Sequence, residues 1–163
     1  MTSIEPLIKP EWDHFFAIVN TEEDWITPLL NSIDGVNARE AFWRPGGNVA
    51  SIADITLHTN GWLEQTLRGV LGMPEQENED WPAAPEGTDS NWQSMLDRLK
   101  LTVADLSRAL HNLNLEELYG APKGRKSKRS TMLTNILVHN AYHAGQIVKL
   151  RQAYAALEAA VTA

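Results

Sequence analysis

The sequence predicts an all-α fold, a four-helix bundle with long crossover connections, formed by residues 1–163 as one domain. Apolar residues recur at helical spacing through four long segments, and no segment alternates with the period of two that a half-buried strand shows. With 163 residues, the chain is long enough for one domain with a real core. Four helices in a domain of this size are expected to pack as a bundle.

The first predicted helix runs from about Pro10 to Ile33. Pro28 lies inside its apolar pattern and predicts a kink or a break near Asp24–Ile26, because proline removes a helical hydrogen bond. Asp34 and Gly35 are a stop signal for this helix. The apolar positions that form its predicted stripe are Trp12, Phe15, Phe16, Ile18, Val19, Trp25, Ile26, Leu29 and Leu30.

The second predicted helix begins at Ser51 and ends near Leu71, where Gly72 and Pro74 follow. Ser51 and Asp54 fit a capping box, with aspartate in place of the more usual glutamate or glutamine. We therefore expect the side chains of these two residues to satisfy the free amide groups at the start of this helix.

The third predicted helix covers Ser90–Leu110, and the fourth runs from Ser130 or Thr131 to about Leu157. Long connections precede both helices and leave room for crossovers rather than tight hairpins. The buried stripe of the fourth helix is predicted to contain Leu133, Ile136, Asn140, His143, Ile147 and Leu150.

The composition excludes several classes of function. The chain contains no cysteine, so a bound metal would be held by nitrogen and oxygen ligands rather than by thiolates. The net charge of −7 argues against a nucleic-acid binder, because phosphate contacts need a basic surface. The first ten residues lack the apolar core of a signal peptide, and no apolar run is long enough to span a membrane. We therefore expect a soluble cytoplasmic protein without a nucleic-acid or membrane partner.

Two histidines four residues apart, His139 and His143, are the strongest chemical signal in the chain. One helical turn takes about 3.6 residues, so both imidazoles project from one face and are able to meet one metal ion. His58 lies on an apolar face of the second predicted helix, and three imidazoles would leave a coordination position open. The alternative is that these are hydrogen-bonded core histidines, but buried imidazoles side by side need partners for their ring nitrogens.

Asp54 and Gln146 are candidates to orient the histidines. Asp54 lies one turn before His58 and is able to accept a hydrogen bond or to ligate the metal, although capping is the favoured role. Gln146 lies one turn after His143, with an ordinary interhelical hydrogen bond as the alternative. Gly145 is expected to permit close helix packing rather than to take part in chemistry.

Two known metal motifs are excluded. Di-iron bundles use two Glu-x-x-His patterns, and this chain has only the one formed by Glu11 and His14. Asn140 occupies the position that glutamate holds in the His-Glu-x-x-His motif of zinc proteases. His14 and His111 are therefore expected to be structural, with His111 at the end of the third helix, where an imidazolium suits the helix dipole.

Three motifs carry a family resemblance: WRPGG at residues 43–47, SIADI at residues 51–55 leading to His58, and HNAYHAGQ at residues 139–146. Through these motifs, nearly the whole chain resembles the DinB/YfiT-like superfamily of four-helix metalloenzymes. In that family three histidines bind a divalent metal, commonly zinc or nickel. The resemblance places these ligands at His58, His139 and His143, and it implies a homodimer.

The resemblance also implies a function. The family is similar in plan to bacillithiol S-transferases and mycothiol-dependent isomerases, which use the metal to activate a small-molecule thiol. We therefore expect a metal-dependent thiol S-transferase whose partners are a low-molecular-weight thiol and a small electrophile. The alternatives are a metal-dependent hydrolase, since a metal also activates water, and a non-catalytic dimeric bundle that binds a metal or a ligand.

A cluster of basic residues precedes the fourth predicted helix. A mobile solvated loop is the favoured interpretation, and the alternative is an anion site for the carboxylates or phosphate of a cosubstrate, or for nucleic acid. The lack of interleaved aromatic residues weakens the nucleic-acid alternative. The cluster consists of Lys123, Arg125, Lys126, Lys128 and Arg129.

The six tryptophans are expected to be mostly structural. Trp43 and Trp81 lie in predicted loops, where they are candidates for a pocket mouth or for packing. The four that fit helix stripes, and are therefore predicted to lie in the core, are Trp12, Trp25, Trp62 and Trp92.

Overall fold

The computed structural model describes residues 8–162, and over this range the chain is helical without any strand. The sequence prediction of an all-α fold is therefore confirmed. The helices are α1 (Lys9–Asn20), α2 (Leu29–Ser32), α3 (Ala38–Phe42), α4 (Ile52–Val70), α5 (Asp89–Asn112), α6 (Leu115–Tyr119) and α7 (Arg129–Thr162).

The four longest helices surround a common apolar core. Helix α4 packs against α5 and α7, and α1 packs against the same two helices. Apolar side chains from all four helices are removed from water at their centre, which is the main source of stability for such an arrangement. Fully buried examples are Phe16, Leu63, Leu99, Leu106, Leu133 and Ile147.

The break in the first predicted helix comes earlier than expected. Helix α1 ends at Asn20, where the backbone carbonyl of Ala17 accepts from the amides of both Thr21 and Glu22, at 2.8 Å each. The chain becomes helical again only after Pro28, whose extended backbone starts α2. The prediction that Trp25 lies in the core is wrong, because this residue falls in the non-helical stretch and is 94% exposed.

The capping box at the start of α4 is confirmed. The amide of Asp54 donates to Oγ of Ser51 at 3.2 Å, and the amide of Ser51 donates to the Asp54 carboxylate at 2.7 Å. The guanidinium of Arg44 also contacts this buried carboxylate, at 2.7 and 2.8 Å. The loop that precedes α4 is therefore tied to the first turn of the helix by an ion pair.

Two short helices lie in stretches that the apolar pattern leaves as connections. Helix α3 begins after Asn37, whose side chain accepts from the amide of Glu40 at 2.9 Å. Helix α6 begins after Asn114, which is bonded to the amide of Glu117 in the same way at 2.9 Å. Asparagine followed three residues later by glutamate is a helix-start signal, but each helix is too short to show periodicity.

The later long helices extend slightly beyond their predicted limits. Thr88 caps α5, and the helix ends at Asn112 rather than Leu110. Helix α7 begins at Arg129, so Ser130 and Thr131 lie inside it and do not cap it. None of the helices between residues 8 and 162 is long and apolar enough to cross a membrane.

Candidate metal centre

Helices α4 and α7 bring together the three histidines that the sequence singles out. His58 lies on α4, while His139 and His143 lie one turn apart on α7, and their candidate ligand atoms are all within 4.8 Å of one another. The centroid of the His58 ring is 4.8 Å from that of each α7 histidine. His58 and His143 are 6% and 3% exposed, so both imidazoles face the protein interior.

The tautomer of His58 is fixed by a backbone carbonyl. Nδ1 of His58 lies 2.5 Å from the carbonyl oxygen of Asp80, in the connection between α4 and α5. A carbonyl oxygen only accepts hydrogen bonds, so Nδ1 carries the proton and Nε2 keeps its lone pair. Nε2 of His58 points into the cluster and lies 2.9 Å from Nε2 of His139.

The tautomer of His143 is fixed by a side-chain amide. Nδ1 of His143 donates to Oε1 of Gln146 at 2.7 Å. The amide of Gln146 is itself oriented, because its nitrogen donates to the hydroxyl of Tyr142 at 2.9 Å. Nε2 of His143 therefore also keeps its lone pair, which is the form of imidazole that ligates a metal.

Burial keeps the two α7 histidines neutral. It is the largest cause that lowers the pKa of His143 to about 4, and the neighbouring His139 and His58 lower it further. Burial and then the charge of His58 lower the pKa of His139 below its ordinary value of 6.5. Both imidazoles are thus unprotonated at neutral pH, as metal binding requires.

This donor set fits one divalent ion. Nitrogen atoms around a tetrahedral zinc ion lie about 3.4 Å apart, given Zn–N bonds of about 2.0–2.1 Å. The separations in the cluster, 2.9 Å between two Nε2 atoms and at most 4.8 Å overall, lie on either side of this value. Three imidazole ligands would leave one position for a substrate. A hydrogen bond between the Nε2 atoms of His58 and His139 is the metal-free alternative.

Comparison with known proteins identifies the family. The sequence model of the DinB superfamily matches residues 22–147. The chain belongs to the DinB superfamily. The matched range contains the three clustered histidines and Gln146, so the expected family resemblance is confirmed. Neither the curated proteins nor the solved structures contain a match to this chain.

In this DinB superfamily member, the connection between α4 and α5 (residues 71–88) completes the surroundings of His58. The indole of Trp81 stacks on the imidazole of His58, with 3.9 Å between the ring centroids and 8° between the planes. The indole nitrogen of Trp62 donates to Oδ1 of Asp80 at 2.8 Å. Trp62 therefore does not lie in the core as its helical position predicts: it is 39% exposed and holds this connection in place.

The hydrogen bonds of the Asp54 carboxylate go to Ser51 and Arg44 rather than to a histidine. The acceptor for Nδ1 of His58 comes instead from the main chain of Asp80, which the sequence analysis did not single out. A backbone carbonyl in an irregular connection has no residue-type signature, so no sequence pattern could have revealed it.

The remaining histidines lie outside the cluster. His14 and His111 are both exposed, and Nδ1 of His111 is 3.5 Å from the carboxylate of Asp13. The carboxylate of Glu11 accepts from the backbone amide of Ile8 at 2.8 Å, at the start of α1. Neither Glu11 nor His14 belongs to the group of three histidines that could hold a metal ion among residues 8–162.

The basic cluster before α7 divides into two kinds of residue. Arg125 donates to the carbonyl of Met73 and pairs with Glu75, both at 2.8 Å, and Arg129 donates to the carbonyls of Val70 and Glu117. These two arginines join the basic segment to the end of α4 and to α6. The side chains that remain exposed are those of Lys123, Lys126 and Lys128.

The expectation that Gly145 permits close helix packing is wrong. A Cβ atom placed on this glycine would meet no atom within 4 Å. Gly145 instead lines a cavity beside the histidines, together with Trp81 and Gln146.

Proposed function

We propose that His58, His139 and His143 bind one divalent ion, zinc or nickel, and that the protein transfers a low-molecular-weight thiol to a small electrophile. One observation carries this proposal. The Nδ1 atoms of His58 and His143 are committed to acceptors outside the cluster, so their Nε2 lone pairs converge on one point. A purely structural pair of histidines has no need for two lone pairs that face each other.

A divalent ion held by neutral imidazoles acts as a Lewis acid and lowers the pKa of a thiol or a water that reaches it. The role of the protein is to hold the ligands in that form. Asp80 and Gln146 fix the tautomers of His58 and His143, and burial keeps His143 unprotonated. Trp81 covers one face of His58 and limits its contact with water.

The position of the nearest carboxylate favours a thiol over water as the nucleophile. Among residues 8–162, no aspartate or glutamate joins the three histidines as a potential ligand. The carboxylate of Asp80 lies 3.4 Å from Nδ1 of His58, where it also accepts from Trp62, so it is on the side of the imidazole opposite the Nε2 atom that faces the cluster. Attack by water needs a general base, whereas a free thiol has a pKa of about 8.5 and loses its proton far more readily.

A thiol-consumption assay tests the proposal. The zinc- or nickel-loaded protein would be mixed with monobromobimane and, in turn, cysteine, glutathione, bacillithiol and mycothiol. We expect metal-dependent formation of the thioether with at least one thiol, with bromide and a proton released, and loss of this activity in His143→Ala. Cleavage of p-nitrophenyl esters without thiol would support the hydrolase instead. Metal binding without either activity would support a non-catalytic bundle.

We also propose that residues 1–163 form one four-helix domain with crossover connections and that this domain is a homodimer. The family membership supports both statements. Exposed apolar side chains on α7 away from the histidine cluster, such as Val138 at 66% and Val161 at 76%, are consistent with a covered face. Light scattering at micromolar concentration should give twice the mass of one chain, and a monomer would rule out the dimer.

A further inference from the structure

A cavity of about 680 Å³ opens beside the histidine cluster. Its volume lies within the range of small-molecule sites, about 300–1,000 Å³. One wall is formed by α7, and the others come from the residues before α4, the first turns of α4, and the connection between α4 and α5. The apolar part of the lining consists of Val49, Ala50, Ile55, Trp81 and Leu150.

Gly145 determines how much room this cavity has. It lies in the middle of α7, where glycine is less favourable than alanine, and no neighbouring atom would clash with a Cβ atom there. Neither backbone conformation nor packing within residues 8–162 therefore accounts for a glycine at this position. Its effect is to leave open the space between Tyr142 and Gln146 that a side chain would fill.

Lys149 gives the cavity one positive charge. It lies one turn beyond Gly145 on the same face of α7, and no carboxylate from residues 8–162 lines the cavity. Its ammonium group donates to the neutral amide of Gln152 at 3.1 Å and forms no ion pair with any residue between 8 and 162. An unpaired cation at the edge of an apolar cavity favours a ligand that has an anionic group attached to an apolar body.

Two residues join the cavity to the histidines. Trp81 lines the cavity and stacks on His58, while Gln146 lines it and accepts a hydrogen bond from His143. A molecule held in the cavity therefore lies next to the side chains that orient two of the three proposed metal ligands.

From these contacts we infer that the cavity binds the electrophile, and that the electrophile is a small molecule with an apolar body and an anionic group. Gly145 limits the size of the apolar body, and Lys149 binds the anion. The assignment of this ligand as the electrophile rests on the proposed thiol-transferase function. The binding of an apolar anion in the cavity does not, so the two statements can be tested separately.

Calorimetry with naphthalene-1-sulfonate, an apolar anion, and 1-(methylsulfonyl)naphthalene, a neutral sulfone of similar shape, tests the site. Zinc-loaded protein is expected to bind the sulfonate more tightly than the sulfone. Gly145→Leu should weaken the binding of both probes at least about tenfold, because the added side chain occupies the cavity. Lys149→Gln should weaken only the binding of the sulfonate, by about three- to tenfold, because it removes one positive charge.

Matched controls separate these effects from general damage. Ala155→Leu makes a similar change at an exposed position of α7 away from the cavity, and Lys100→Gln removes an exposed charge from α5. Neither control should alter binding. Gly145→Ala should fold at least as well as the parent protein, because alanine is the better helix former. This variant should weaken the binding of a larger apolar anion more than the binding of a smaller one. Metal content should be unchanged in all these variants.

The inference would be overturned if Gly145→Leu bound both probes as tightly as the parent protein does. A sulfonate affinity that Lys149→Gln leaves unchanged would also overturn it. If probe binding follows these expectations while no thiol is consumed, the cavity is a site for apolar anions and the proposed thiol-transferase function is wrong. If thiol is consumed but Gly145→Leu lowers the rates with bulky and with small anionic electrophiles equally, the thiol-transferase function is supported and the cavity is not the electrophile site.

Discussion

The indole of Trp81 lies flat on the imidazole of His58, with 3.9 Å between the ring centroids. The preceding residue, Asp80, supplies the carbonyl that accepts from Nδ1 of the same histidine. Two adjacent residues of one irregular connection thus determine both the orientation and the tautomer of a proposed metal ligand. The candidate metal centre is built from two helices and this connection, and each part is open to a separate test.

Metal analysis tests the three ligands together. The purified protein should contain about one zinc or nickel ion per chain, and alanine at His58, His139 and His143 should remove it. His14 and His111 provide matched controls, because both are exposed histidines outside the cluster. Metal content that persists in the triple variant, or that falls in His14→Ala, would place the ion elsewhere.

Gln146 is expected to control metal affinity through His143. Gln146→Leu removes the acceptor for Nδ1 and should weaken metal binding about ten- to a hundredfold, the usual effect of losing such an oriented contact. Gln146→Glu keeps an acceptor oxygen and should bind metal nearly as well as the parent protein. The measurement is a competition titration with a zinc chelator, with Gln152→Leu on the same helix as the control. Equal losses for Leu and Glu at position 146 would contradict the proposed role.

Asp54 is expected to stabilise the fold without affecting the metal. Asp54→Asn weakens its pairing with Arg44 and its hydrogen bonds to Ser51, so the free energy of unfolding should fall by about 1–2 kcal/mol. Urea denaturation of the metal-free protein measures this change. Metal affinity of the folded variant should match that of the parent protein within about twofold, since the carboxylate of Asp54 is bonded to Ser51 and Arg44 rather than to a histidine. A large loss of affinity would show that Asp54 acts on the site.

The metal-free protein should lose stability as the pH falls below about 6.5. The pKa of His143 is about 4 in the folded chain, so between these values the unfolded chain binds more protons. Acid therefore favours unfolding, by on the order of 1–2 kcal/mol between pH 7 and pH 5. Urea midpoints at the two pH values measure this loss, which should be smaller in His143→Gln, whose side chain does not titrate. A larger loss in that variant would contradict the burial of a neutral His143.

Turnover should depend on His143 far more than on the exposed lysines before α7. His143→Ala should be inactive even with excess metal, because the site that activates the nucleophile is lost. Changing Lys123, Lys126 and Lys128 to serine should keep kcat within about tenfold, with any effect appearing in KM. Arg125 and Arg129 stay unchanged in this variant because they hold backbone carbonyls. Steady-state kinetics with the active thiol and electrophile distinguish the two outcomes.

Helical spacing made the centre of this molecule predictable from sequence. The stripe of α7 that contains His143 and Ile147 is buried as expected, because a pattern at helical spacing fixes which residues share a face. The capping box of Ser51 and Asp54 was equally readable, since it depends only on residues three apart. The same helical spacing predicted that His139 and His143 share one face of α7, without any information on tertiary contacts.

The parts that could not be predicted lie in segments without periodicity, at a helix end, or at a residue whose surroundings the sequence does not reveal. The position of Trp81 follows from the path of the connection between α4 and α5, which has no periodicity to read. The early end of α1 depends on the shared carbonyl of Ala17, and the exposure of Trp25 follows from it. Gly145 was misread because glycine has the same sequence appearance in a tight helix contact and beside an open cavity.

The acceptor that orients His58 is part of the main chain, and this has an evolutionary consequence. Every amino acid at position 80 carries the same carbonyl, so replacement of Asp80 leaves that hydrogen bond available as long as the chain follows the same route. Selection for this hydrogen bond itself would therefore act on the length of the segment between α4 and α5, while the identity of residue 80 would matter through its side-chain contact with Trp62. A relative that keeps the route of the segment keeps the carbonyl whatever residue stands at position 80, whereas an insertion or deletion between Leu71 and Asp80 would move the carbonyl away from the imidazole.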